Sequence, residues 1–174
     1  MVIRVNRAPV LTLWAAVVAE RLGYSWDEAL TLGRVVAGLN AYSKGKALGL
    51  YAPKPESVKE HRSKLEPGLV VNIDLLHRAV PAVRTAKGLR AISRDQPVEP
   101  EAVERYLESK FKHGLPEVRA AMEDLARASA PGDLAARAYD LYESFRPRIP
   151  GGVRGWGAAG DLDLDVIRSL ARGR

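Results

Sequence analysis

The chain has 174 residues, 47% of them hydrophobic and 28% charged, enough for one domain with a real core and too balanced for wholesale disorder. It contains no cysteine, which removes disulfides, thiolate catalysis and cysteine zinc sites, and which fits a reducing, cytoplasmic setting. The net charge of +6 is unevenly placed: residues 44–94 carry eleven Lys or Arg against four acids, net +7, while residues 1–43 are +1 and residues 95–174 are −2. A focused basic segment attracts polyanions such as nucleic acid, although a solvated loop surface has the same composition.

A basic start followed by the apolar residues 8–19 resembles a signal peptide, but Pro9 and Trp14 interrupt the run and it flows into Glu20-Arg21. The run is too short to span a bilayer, and no membrane association is expected. Leu11, Trp14, Ala15, Val18, Ala19 and Leu22 recur at helical spacing, and Gly23 ends that helix. Ser25 and Glu28 form the capping-box pattern of a second helix, whose buried face is Ala29, Leu32, Val36 and Leu39 and which should run to about Tyr42. Residues 43–49 are expected to turn, and the proline-rich residues 52–68 to form a loop. Val71, Ile73 and Leu75 alternate with Asn72 and Asp74 as a half-buried strand. A turn at His77-Arg78 and another at Ala86-Lys87-Gly88 complete a small antiparallel meander, in which Pro81 implies an edge or a bulge.

The C-terminal half reads as helices again, opened by Pro100, by Pro116 and by Asp133, the last ending before Pro147. A glycine-rich loop at 151–160, anchored by Trp156, leads to a final short helix begun by Asp163 or Asp165. The expected fold is therefore mainly α with a small antiparallel meander, in one domain spanning 1–174. Within it fall a helix-turn-helix-like hairpin at 1–50, the meander at 69–93 and C-terminal helices at 99–172.

The Ala19/Gly23 spacing matches a helix-turn-helix, but Ser25, Trp26, Asp27 and Glu28 stand where a recognition helix meets DNA, and two carboxylates there oppose phosphate binding. Candidate nucleic-acid contacts are instead Arg34, Lys44 and Lys46 with a basic wing of Arg78, Arg84, Lys87 and Arg90. His61, His77 and His113 show no metal-ligand spacing. Asp161, Asp163 and Asp165 suggest a calcium loop, but its sixth and twelfth positions are Val166 and Arg172. Ser43-Lys44-Gly45-Lys46 lacks the spaced glycine of a phosphate loop. No cofactor is implied and no nucleophile–base pair is legible.

Residues 7–15 (RAPVLTLWA) with 37–45 (AGLNAYSKG), and Phe145-Arg146-Pro147 followed by Gly155-Trp156-Gly157, resemble a family of uncharacterised bacterial and fungal proteins. The resemblance covers most of the chain and implies that Asn40, Ser43, Lys44 and Trp156 belong to the family's pattern; it implies no activity. Three functions stay open at this point: a nucleic-acid-binding module, a homo-oligomeric interaction or scaffold domain, and an enzyme with a pocket near Asn40, Ser43 and Lys44.

Overall fold

The computed structural model describes residues 1–47, 69–149 and 158–173, with side chains through Tyr42 in the first of these segments. Strand β1 (Val2–Asn6) leads directly into α1 (Arg7–Arg21), the helix around which the core is assembled. Every residue of α1 from Pro9 to Ala19 is buried. Its side chains are almost all apolar, and a helix that is hydrophobic all round has no solvent face to offer. The one hydroxyl in that run, Thr12 Oγ1, donates to Ala8 O at 2.8 Å, so it enters the core satisfied. Trp14 donates its indole N–H to Ala138 O at 2.8 Å and meets Phe145 edge-on at 5.3 Å.

Gly23 turns the chain at φ +115°, and Ser25 opens α2 (Trp26–Ala47) through the expected capping box. Ser25 N donates to Glu28 Oε1 at 3.0 Å, and Glu28 N donates to Ser25 Oγ at 3.2 Å. The two helices form a long antiparallel hairpin rather than a helix-turn-helix, in which they would diverge at roughly 90–120°. The diagnostic residue is Gly33, where an added Cβ would strike Thr12 O and come 2.9 Å from Ala16 N. Gly33 lies ten residues beyond Gly23, so the helices still touch about 15 Å from the turn. The expected turn at 43–49 is also corrected, since α2 remains helical through Ala47.

Strands β2 (Val70–Leu75), β3 (Arg78–Thr85), β4 (Gly88–Ser93) and β5 (Gln96–Pro97) form an antiparallel sheet in that order. The meander matches the expected one, with β5 added and the first turn at Leu76-His77 instead of His77-Arg78. Along β2 only Leu75 is buried; Ile73 is half-buried and Val71 exposed, as the strand runs outward from the core. Pro81 lies in an internal strand, but the β3–β4 ladder reaches only Ala82, so Pro81 occupies the part of β3 paired with β2 alone.

The N–H groups of Leu89 and Ala91 are met by α2: Leu89 N donates to Glu28 Oε2 at 2.8 Å, and Ala91 N to Thr31 Oγ1 at 3.0 Å. Two helix side chains thus serve β4 where a further strand would otherwise be needed.

Helices α3 (Pro100–Phe111), α4 (Leu115–Arg127) and α5 (Pro131–Phe145) follow, each with proline in its first turn. Helix α5 starts two residues before the expected Asp133. Where a loop was expected up to Gly160, β6 (Ala159–Asp163) pairs antiparallel with β1 in a second, two-stranded sheet. The residues 151–157 of that expected loop, with Trp156, lie outside the described ones, as does the 52–68 loop with His61. Asp163 caps α6 (Leu164–Ala171) by accepting from Asp165 N at 3.0 Å. The aspartates considered for calcium are distributed among structural roles, since Asp161 pairs with Arg4 at 3.4 Å and Asp165 with Arg168 at 3.5 Å. The fold is thus mixed, mostly helical with two small antiparallel sheets, and no helix among the described residues is long and apolar enough to cross a membrane.

Two outcomes follow from these contacts. Gly33→Ala should destabilise the chain by about 1–3 kcal/mol in urea melts, because backbone atoms of α1 cannot yield to a new methyl as a flexible side chain would. Glu28 is held below its ordinary carboxylate pKa, first by the Leu89 N–H and then by the Ser25 N–H. Its anionic form is therefore favoured by folding, a contribution present above the unfolded pKa of about 4.3 and lost as pH falls through the lower folded value. Glu28→Ala should cost about 1–3 kcal/mol at neutral pH, with the gap to the parent narrowing below about pH 4; a gap independent of pH would contradict this.

Candidate anion-binding site

The start of α1 and the second half of α2 enclose two adjoining clefts that share Ala8, Ala37 and Ala41 as a common wall. On one side a small cavity of about 30 Å³ lies among Arg7, Asn40 and Tyr142. On the other a cleft of about 380 Å³ opens between Arg34, Tyr42, Tyr106 and Lys110. The alanines and Gly38 keep this wall thin.

Asn40 is the centre of the smaller side. It is 6% exposed, and its Oδ1 accepts from Arg78 Nη2 at 3.0 Å and from Tyr139 OH at 3.3 Å. Three elements meet on that one amide oxygen: α2, the start of β3 and α5. Arg78 is delivered by the Leu76-His77 turn, where φ values of +48° and +62° place two non-glycine residues in the left-handed region. A two-residue hairpin loop of type I′ requires that backbone, and it usually recruits Asn or Gly. Leucine is tolerated because its side chain is buried in the core, while His77 stays exposed with its ring 6.1 Å from that of Tyr139.

Arg7 donates from Nε to Pro147 O at 3.1 Å. Its guanidinium pKa is lowered, first by burial and then by the neighbouring positive charge of Arg146. Tyr142, between them and the core, is pushed well above the usual phenol range by burial. Arg146 is offset by Glu143 at 3.9 Å.

In the larger cleft the Arg34 guanidinium lies 4.7 Å above the Tyr106 ring, and Lys110 Nζ lies 5.9 Å from the same ring. Burial raises the Tyr106 pKa and Arg34 opposes that rise. Among the described residues no carboxylate lines either cleft. The first turn of α1 also contains no acid, so the positive end of its dipole adds to the same field.

Five of the seven residues expected to contact nucleic acid have described side chains, and the structure does not bring those five together. Arg34 lies in the larger cleft and Arg78 on Asn40. Arg84 and Lys87 are exposed at the far end of the β3–β4 hairpin. Arg90, beside them, is 7% exposed and donates to Leu89 O at 3.0 Å, so it is a buried residue rather than a surface contact. Lys44 and Lys46, like Ser43, have side chains outside the described ones. Arg7, Tyr106, Lys110 and Tyr139 were not singled out from sequence; the signal available was that Arg7 and Asn40 both stand in the segments quoted for the family resemblance.

Those segments converge here. Residues 7–15 start at Arg7, residues 37–45 supply Asn40, and Arg7 bonds Pro147 of the third segment. Compared with known proteins, the chain matches no family model, no curated protein and no solved structure.

Asn40→Ala would leave Arg78 and Tyr139 facing an apolar methyl. We expect a loss of about 1–3 kcal/mol in denaturant melts, with Arg78→Ala in the same background costing less than it does alone. Additive losses in that double-mutant cycle would show that Asn40 does not couple these elements.

Proposed function

We propose that the protein binds a small anionic ligand, phosphate-bearing by preference, in the cleft between Arg34, Tyr106 and Lys110 at the start of α1. The observation that carries this reading is the lining: Arg34 and Tyr42 from α2 and Tyr106 and Lys110 from α3, with no carboxylate among the described residues. Its volume of about 380 Å³ lies in the range of small-molecule sites. Among the described residues Arg34 and Lys110 are supported on Tyr106 and by no carboxylate lining the cleft, so an arriving anion need displace none of these. The adjoining Arg7 has its pKa lowered first by burial and then by the charge of Arg146, so added negative charge nearby would favour its guanidinium.

Nucleic acid is the polymeric form of the same chemistry, favoured by the exposed Arg84 and Lys87 at the hairpin end. Salt dependence separates the two. A polyanion bound through many phosphates loses affinity steeply with salt, whereas a small ligand in a built cleft does not.

Calorimetric titration with inorganic phosphate, pyrophosphate and a nucleoside monophosphate, alongside duplex DNA and single-stranded RNA, decides between them. The small anions should bind saturably, and Arg34→Gln should weaken them about tenfold to a hundredfold, the worth of one charge-assisted hydrogen bond. Arg84→Gln and Lys87→Gln should leave that binding unchanged. Binding by nucleic acid alone, weakened by the hairpin variants and not by Arg34→Gln, would overturn the proposal.

A further inference from the structure

A second cavity, of about 330 Å³, lies at the other end of α2 and away from the cationic clefts. Its walls are apolar: Leu13 from α1, Leu30 from α2, Leu107 from α3, and Leu115 and Pro116 from α4. Trp26 lines it at the first position of α2. The Arg119 guanidinium lies 3.7 Å above the Trp26 ring. Glu104 and Glu123 supply the remaining polar lining.

Two hydrogen-bond donors at this stack are buried and have no acceptor among the described residues, Trp26 Nε1 and Arg119 Nε. Glu123 Oε1 is 3.6 Å from Arg119 Nε, an ion pair beyond hydrogen-bond reach. The indole of Trp14, fully buried in the core, is by contrast satisfied by a backbone carbonyl. A buried donor without an acceptor costs about 1–3 kcal/mol, and interiors seldom keep two side by side without a reason.

We infer that this cavity is a binding site for a small apolar molecule carrying a neutral acceptor oxygen, a ketone or amide carbonyl, with the Trp26 and Arg119 N–H groups as its polar anchor. The leucine walls select the apolar body. Each unmet N–H selects an acceptor, and none of the lining groups needs a further donor as strongly. Glu104 and Glu123 select against a free carboxylate, because they place negative charge on the same lining.

The test uses camphor, cyclohexanone and acetophenone as carbonyl probes and methylcyclohexane as a hydrocarbon control, with ¹⁵N-labelled full-length protein. The Trp26 indole N–H resonance, assigned by its absence in Trp26→Phe, should move downfield saturably with at least one ketone. The Trp14 indole, already bonded to Ala138 O, should stay in place. The hydrocarbon should produce no downfield shift of the Trp26 indole, and cyclohexanecarboxylate should bind more weakly than cyclohexanone. Leu115→Trp, which fills the cavity from its wall, should abolish the response while circular dichroism shows the fold retained; should that variant unfold, Arg119→Leu, which removes one anchor, should weaken the ketone instead. No saturable indole shift with any ketone, or equal shifts with the hydrocarbon, would overturn the inference, the latter meaning that the cavity takes apolar guests without reading an oxygen.

Discussion

Helix α1 is surrounded, and that constraint organises the molecule. Eleven consecutive residues from Pro9 to Ala19 are buried, so every direction around the helix must be covered by another element. Helix α2 covers one side at close range because Gly33 brings no side chain to the contact. Helices α3, α4 and α5 close the rest, and Trp14 reaches Ala138 O to tie α5 down. Full burial stops at both ends of α1, at Arg7-Ala8 and at Glu20-Arg21, and at the first of these α2 and α3 contribute the cations Arg34 and Lys110. The proposed binding site lies at the N-terminal of the two places where the burial of the central helix ends.

Helix α2 connects this core to the sheet at two points. Near its start Glu28 and Thr31 accept the outward N–H groups of β4, and in its second half Asn40 receives Arg78 from the beginning of β3. Glu28 and Asn40 are twelve residues apart, about 18 Å along a helix. A hairpin fastened at both ends of such a span has its register set by the helix as well as by its own ladder. The position of Arg78, and through it the site around Asn40, follows from where Glu28 grips the other end.

Local patterns in the chain carried much of this fold. Ser25 and Glu28 announce the α2 start through three-residue spacing alone, Gly88 announces a turn, and Pro100 a helix. What stayed hidden depends on distant partners. Strands β1 and β6 are each short, and Arg4 meets Asp161 across a sequence separation of 157. Gly33 reads as a weak point in a helix until α1 is laid against it. The basic residues reveal the limit most clearly: six residues apart on β3, Arg78 and Arg84 look equivalent in sequence, yet one is fixed on a buried amide and the other is exposed. The Glu28 carboxylate shows the same thing from the other side, since its cap partner is local and its sheet partner is sixty-one residues away. The cleft itself was not legible, because Tyr106 and Lys110 are brought to Arg34 by a helix that the charge distribution had left aside.

The central claim, that anions bind at the start of α1, is tested most directly by mapping backbone amide shifts during a pyrophosphate titration of ¹⁵N-labelled protein. The account predicts saturable changes centred on residues 6–8, 34–42 and 106–110, with Arg84, Lys87 and their neighbours unmoved. Changes confined to the hairpin end at residues 84–88, or small changes spread evenly over the basic surface, would contradict it.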